Sequence, residues 1–273
     1  MTQQELKILE EDYNKGLSLQ QLGKKYGWNS AWIHTMFRRN NISIRDLSKS
    51  HIVKDCDYSF FSKIDNEAKA YFLGFLYADG SITHNSMKLT LHKKDFHILK
   101  DFKKAIGSAH AFVNDRGYMR FCINNKQLYN DLLKQGCGHK KSLTLKFPTL
   151  EQVPKNLLPH FIRGFFDGDG SINYSIDKKY GYIKWRTSFI STIPFNQSIQ
   201  NILGENIESS ISFLKLSLEQ DNKKLCYLSI GGNKIDKIQK IYYYLYNDAS
   251  IFLKRKKGKF EEIFRLLKAN ETN

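Results

Sequence analysis

Long apolar runs are missing from this 273-residue sequence. No stretch approaches the roughly 18 residues that a membrane-spanning helix needs, which argues against an integral membrane protein. Cysteine is scarce and scattered: Cys56, Cys122, Cys137 and Cys226 form no Cys-x-x-Cys pair, so a reducing compartment is the simpler reading. Cys137 and His139 lie close together but fall short of the four ligands a zinc site demands, and the remaining histidines show no ligand spacing. The opening MTQQELKILEED is polar and acidic, and neither a signal nor a transit peptide is expected. Acidic residues are also in deficit: 27 Asp and Glu stand against 43 Lys and Arg, a net charge of +16 with a pI near 9.5. A surplus of that size implies a polyanionic partner, nucleic acid or an acidic membrane surface. No segment joins a basic helix face to a bulky apolar one, so nucleic acid is preferred and no membrane partner is expected.

What the sequence does contain is a duplication. Tyr71 to Ile82 reads YFLGFLYADGSI, and 90 positions later Phe161 to Ile172 reads FIRGFFDGDGSI. Each copy is an apolar, helix-like segment ended by an acid and a glycine. Gly74 and Ala78 lie four residues apart, on one helix face, as do Gly164 and Gly168. Small residues at that spacing let two helix backbones approach with little side chain between them. Gly80 and Gly170 stand where a left-handed cap would end each helix. Two such helices side by side would bring Asp79 and Asp169 to the same end.

That end is electrostatically costly. A carboxylate at a helix C-terminus opposes the macrodipole by roughly 0.3–1 kcal/mol, and two close carboxylates also repel. A divalent cation removes both penalties. An oxygen-rich, thiol-free pair suits Mg²⁺, which takes one or two carboxylates and fills its shell with phosphates and waters. A single Asp-Gly-Ser is an ordinary turn; the matched pair is what points to a site.

The paired motif resembles the LAGLIDADG homing endonucleases in their single-chain, two-motif form. The family's metal-binding acid, at the eighth motif position, falls on Asp79 and Asp169. The match departs where Phe72-Leu73 and Ile162-Arg163 replace Leu-Ala, and at the sixth position, which holds Tyr77 in one copy and Asp167 in the other. The resemblance spans about residues 55 to 260. It implies an α+β fold of two pseudo-symmetric αββαββα units forming a DNA-binding saddle. It also implies a lysine near each scissile phosphate, just after the fourth strand, which matches Lys126 in INNKQL and Lys234 in GGNKID. A polar, water-binding group at the end of the second strand maps to Lys93 and Thr192.

In chain order, residues 1–46 read as three short helices forming a helix-turn-helix. Leu6, Leu9 and Tyr13 share a face of the first. Ser18 caps a second carrying Leu19, Leu22 and Tyr26, and Asn29 caps a third with Ile33, Met36 and Phe37 inward. The third helix turns Ser30, Trp32, Thr35, Arg38 and Arg39 outward, a set suited to phosphates and base edges; a small bundle that only packs on the rest is the plain alternative. Residues 47–66 read as a linker, 67–152 as the first motif unit, and 153–273 as the second with a basic C-terminal helix.

In the first unit Met87, Leu89 and Leu91 alternate with Lys88, Thr90 and His92. A helix follows through Phe96, Leu99 and Phe102, then an Arg116-Gly117 turn, a strand from Tyr118 to Ile123, and a helix from Asn125 through Leu128, Leu132 and Leu133. The second unit repeats the order, with strands near Ser171–Ser175, Tyr182–Thr192, Ser209–Leu218 and Lys224–Ile230 and helices at Phe195–Leu203 and Lys234–Tyr246. There Lys184, Arg186 and Ser188 alternate with Ile183, Trp185 and Thr187. A pair of basic sheet faces flanking a double acid suggests strands reading base edges in the major groove.

The expected function is a site-specific, Mg²⁺-dependent double-strand DNA endonuclease, monomeric, acting on a long asymmetric target. Asp79 and Asp169 would hold Mg²⁺ against the scissile phosphates for in-line attack by a metal-activated water. Lys126 and Lys234 would stabilise the charge building on the phosphate. Cleavage across the minor groove leaving 3′ overhangs, and intron homing, are what the resemblance adds. The alternative is a non-cleaving regulator or an intron RNA maturase on the same fold. The ends, Met1 and Thr272-Asn273, are read as disfavouring an intein. The expected setting is the cytoplasm of a bacterial or phage host, on DNA, with an organelle-encoded origin left open.

Overall fold

The computed structural model describes residues 2–44, 56–139, 141–207, 215–219 and 222–271. The chain divides into two compact units, residues 1–52 and 53–273. Most of the linker segment, and the start of the strand expected from Ser209, lie outside the described residues.

The first unit holds α1 (Gln3–Asn14), α2 (Leu19–Tyr26) and α3 (Ser30–Arg39). Each begins on a side chain that satisfies a free helix N–H. Thr2 with Glu5, and Ser18 with Gln21, form reciprocal capping boxes, and Asn29 accepts from the Ala31 amide. Gly27 ends α2 at φ +75°, a left-handed position that suits glycine. Leu9, Tyr13, Leu22, Ile33 and Phe37 make the core. Asp12 accepts from Lys25 Nζ and from Tyr26 Oη at 2.6 Å, tying α1 to α2.

The second unit contains the sequence α4 (Glu67–Asp79), β1 (Gly80–Thr83), β2 (Ser86–His92), α5 (Phe96–Ala105), β3 (Val113–Asp115), β4 (Tyr118–Asn124) and α6 (Lys126–Lys134). It then repeats as α7 (Leu158–Asp169), β5 (Ser171–Ile176), β6 (Ile183–Thr192), α8 (Ile193–Ile207), β7 (Lys215–Glu219), β8 (Asn222–Gly232) and α9 (Ile235–Tyr246). A last helix, α10, covers Lys254–Glu271. Each half forms a four-stranded antiparallel sheet, in the orders β1-β2-β4-β3 and β5-β6-β8-β7. The first hairpin turns through His84 and Asn85, both at positive φ, and the β3–β4 hairpin through Arg116 and Gly117, the left-handed pairs that two-residue hairpins require.

Period-two patterning decides which sheet face is buried. Met87, Leu89 and Leu91 are buried while Thr90 and His92 are exposed, and in β6 Ile183, Trp185 and Thr187 are buried while Lys184 and Arg186 are exposed. Phe60, Phe61 and Ile64, just before α4, are buried in the same core, with the Phe60 and Phe61 rings against Phe102. Leu128 and Leu132 fill the inward face of α6, and Leu133 beside them is 40% exposed.

The ends of the motif helices differ from expectation. Gly80 (φ −73°, ψ 136°) and Gly170 (φ −77°, ψ 163°) are extended, with no left-handed cap. Each motif helix passes straight into a strand. Glycine is needed there for space: a Cβ at Gly80 would meet the Leu76 carbonyl, and one at Gly170 the Phe166 ring and carbonyl.

Candidate active site and nucleic-acid interface

The site begins with the contact between α4 and α7. A Cβ on Gly74 would overlap the Phe161 carbonyl, a Cβ on Gly164 the Tyr71 carbonyl, and a Cβ on Gly168 would run into the Ala78 methyl. The helices therefore touch backbone to backbone. Their C-terminal acids end side by side: the space next to Gly168 is bounded by Asp79 Oδ2, 3.3 Å from where a Cβ would stand.

Both acids are open to solvent on one side, with packed helix ends behind them. That packing strips water and is the largest cause of the upward shift of both carboxyls. For Asp169 the Asp79 charge adds to it, and the pKa rises to about 6. Asp79 is also raised, though Lys256, Lys141 and Arg255 oppose the shift. Neither carboxylate accepts a hydrogen bond from a described residue.

Two lysines that sequence reasoning missed stand at this end. Lys256, buried in the first turn of α10, donates to the carbonyls of Phe166 (2.5 Å), Gly168 (3.1 Å) and Gly170 (2.6 Å). Burial lowers its pKa to about 8. Lys141 donates to the Gly80 carbonyl, so each glycine that follows a motif acid is capped by a lysine. The influence crosses over: among the opposing charges Lys256 acts most strongly on Asp79 and Lys141 on Asp169. Beside them Arg255 Nε donates to both oxygens of Asp95, at 3.2 and 3.1 Å.

Behind the acids lies a buried polar knot. Asp167 accepts from Tyr71 Oη (2.9 Å), Tyr246 Oη (2.8 Å) and the Leu253 amide (2.8 Å). Arg163, also buried, donates to Glu67 (2.6 Å) and to the Ile251 and Leu245 carbonyls, both at 2.9 Å. Tyr77 donates to the Gln135 carbonyl at 2.6 Å. Arg163 thus ties the second half to the first through Glu67, whereas the Tyr77 hydroxyl anchors within the first half.

Lys126 is an exposed residue in the first turn of α6. Lys234 is the exposed N-cap of α9, and its carbonyl accepts from Trp185 Nε1 at 3.0 Å. Neither is among the main charges acting on the acids. Lys93 is exposed at the end of β2, whereas Thr192 is buried and donates to the Leu145 carbonyl at 2.6 Å.

On the outer face of the first sheet, Lys88 pairs with Ser81 and Cys122, Thr90 with Arg120, and His92 with Tyr118. On the second, Arg186 pairs with Asn173 and Gly231, Lys184 with Ser175, and Ser188 with Ser171 and Ser229. The cross-strand neighbours Arg120 and Asn173 are interface candidates that alternation along β2 and β6 alone did not reveal. In the first unit Arg38 and Arg39 are exposed in the last turn of α3, and Trp32 is 40% exposed.

Two solved structures decide what this arrangement is. The LAGLIDADG meganuclease I-AabMI bound to uncleaved DNA is 13% identical, with a TM-score of 0.52 over 76% of this chain and 92% of that one. The LAGLIDADG homing endonuclease I-GzeII in complex with a DNA target is 11% identical, with a TM-score of 0.52 over 77% and 92%. The chain has the LAGLIDADG homing-endonuclease fold. In that fold the α4–α7 contact is the pseudo-twofold centre, and the two sheets are its paired faces. No protein-family model matches the sequence. Among curated proteins it is 27% identical over 205 residues to a probable translation initiation factor IF-2 of Methanocaldococcus jannaschii, which covers 71% of this chain and 17% of the factor. An uncharacterized protein of the same organism is 29% identical over 172 residues, 59% of this chain and 61% of that protein. The chain therefore spans less than two thirds of either relative. Among the described residues no helix is long and apolar enough to cross a membrane.

Proposed function

We propose that the chain is a site-specific double-strand DNA endonuclease that hydrolyses one phosphodiester in each strand. The observation that carries this reading is the pair Asp79 and Asp169: two carboxylates at one end of a glycine-to-glycine helix contact, with no hydrogen-bond donor among the described residues, between two lysines. Among the described residues no group of three or more His, Cys, Asp or Glu side chains could hold a metal. The pair thus fits a hard cation that brings water and phosphate oxygens as its other ligands, which is the habit of Mg²⁺. When bound, such an ion supplies a polarised phosphate and a water acidic enough to attack it.

The chain's own residues do the rest. The acids would hold the cation, and the ammonium charges of Lys141 and Lys256, fixed on carbonyls beside the acids, would offset the charge that builds on the phosphate. Both motif copies lie in one compact unit, so a monomer suffices. The polar sheet faces, with Lys88, Thr90, His92, Lys184, Arg186 and Ser188, contact the duplex, and a long asymmetric target follows because the two faces differ in sequence. Arg38 and Arg39 of α3 add phosphate contacts of their own, and Lys126 and Lys234, at the starts of α6 and α9, stabilise charge at the scissile phosphates. Cuts staggered across the minor groove leave 3′ overhangs, and intron homing is the biological setting. The test is incubation of the protein with duplex DNA that spans the uninterrupted insertion site of its gene, with Mg²⁺ and with EDTA. Mg²⁺-dependent double-strand cleavage at one site supports the reading; binding without cleavage at any Mg²⁺ concentration refutes it.

A further inference from the structure

We propose that the sixth motif position is a positioning site: Tyr77 in one copy and Asp167 in the other hold the segments that deliver Lys141 and Lys256 to the acid pair. The functional consequence rests on the nuclease reading above.

The observation is a matched pair of anchors made from unlike chemistry. Tyr77 Oη donates to the Gln135 carbonyl at 2.6 Å. Gln135 closes α6, and its amide group donates to the Phe61 carbonyl at 3.1 Å. From there the chain turns through Gly136, at φ +83°, and Cys137, whose N–H returns to the Leu132 carbonyl, before it reaches Lys141. In the other copy Asp167 accepts from Tyr246, the last residue of α9, and from the Leu253 amide, just before α10. It therefore clamps both ends of the loop that leads to Lys256, three residues beyond Leu253. A carbonyl needs a donor and an amide needs an acceptor, so tyrosine serves one copy and aspartate the other.

The lysines need such holding. A lysine side chain has four flexible carbons and no preferred direction; each of these is fixed on the carbonyl of the glycine after a motif acid, Lys141 on Gly80 and Lys256 on Gly170. A shift of the supporting segment moves the ammonium relative to the reacting phosphate, where about 1 Å of misplacement costs on the order of 100-fold in rate. A merely structural anchor would instead lower stability and slow both strands alike.

Tyr77→Phe and Asp167→Asn separate the two. The measurement is strand-resolved cleavage of a doubly end-labelled duplex, together with the dissociation constant, the thermal midpoint and amide hydrogen exchange of the metal-free protein. Each variant should accumulate nicked duplex, with one strand slowed by about 10- to 100-fold and the other unchanged, and the slow strand should be opposite in the two variants. Binding should be unaltered. Exchange should quicken at Gly136 and Cys137 in Tyr77→Phe, and at Leu253 in Asp167→Asn. If Asp167→Asn fails to fold, Tyr246→Phe, which removes one of the three donors, replaces it. Equal slowing of both strands, or no slowing, in variants of a protein whose wild type cuts overturns the inference. A wild type that does not cut refutes the nuclease reading instead; unchanged exchange at these amides then overturns the anchors, and quickened exchange upholds them.

Discussion

Gly74 of α4 and Gly164 of α7 face each other reciprocally, each leaving the space through which the other helix's backbone passes: the Phe161 carbonyl lies over Gly74 and the Tyr71 carbonyl over Gly164. Gly74→Leu or Gly164→Leu should destabilise by at least the roughly 1–3 kcal/mol typical of overpacking, because what must yield is backbone. Denaturant unfolding reads the loss directly. Midpoints equal to wild type in both variants would mean that the helices do not meet there.

The acid pair and Lys256 set a pH window for cleavage. Asp169 must be ionised to hold a cation, and burial together with Asp79 has raised it to about 6. Lys256 must carry its charge, and burial has lowered its pKa to about 8. Cleavage should therefore rise through about pH 6 and fall above about pH 8, the limbs belonging to the coupled site as a whole. A rate at subsaturating Mg²⁺ that is flat from pH 5 to 9 would contradict this.

The same shifts act on stability with a definite sign. Between its ordinary value of 3.8 and about 6, Asp169 keeps a proton in the folded protein that the unfolded chain has lost. Metal-free stability should thus decline as pH rises through that interval, and Asp169→Asn should flatten the decline. Lys256 works in the other direction, adding stability as pH rises from about 8 to 10.5. Urea midpoints measured with EDTA across both intervals check the signs.

Much of the fold was legible because it is periodic. Alternation placed Met87, Leu89 and Leu91 inward, cap residues marked Ser18, Asn29 and Asn125, and the duplicated glycine spacing marked the helix faces. Lys141 and Lys256 were not legible. Lys141 follows Asp79 by 62 residues and Lys256 follows Asp169 by 87, so a search for the second copy at a fixed offset passes over them. Their places come from long-range hydrogen bonds at Tyr77 and Asp167, which no local pattern encodes. The extended glycines after each acid were misjudged for a related reason: Asp-Gly reads as a turn, while here the glycine relieves a clash with the helix it follows.

The N-terminal unit has its own core, so its contribution can be removed separately. Deleting residues 1–46 should shorten the footprint at one end, weaken binding and leave the cut positions unchanged. Without Arg38 and Arg39 the salt dependence should flatten by about 0.9 for each phosphate that is no longer neutralised. Identical footprints and slopes for full-length and truncated protein would assign this unit to another role.

The most direct test of the whole account is cleavage of one end-labelled target duplex by wild type, Asp79→Asn, Asp169→Asn and the double variant, each with and without Mg²⁺. The account predicts that wild type makes a double-strand break only with Mg²⁺, that neither single variant makes one, and that all four proteins fold and bind the duplex alike. Wild-type cleavage rates in the double variant would contradict it.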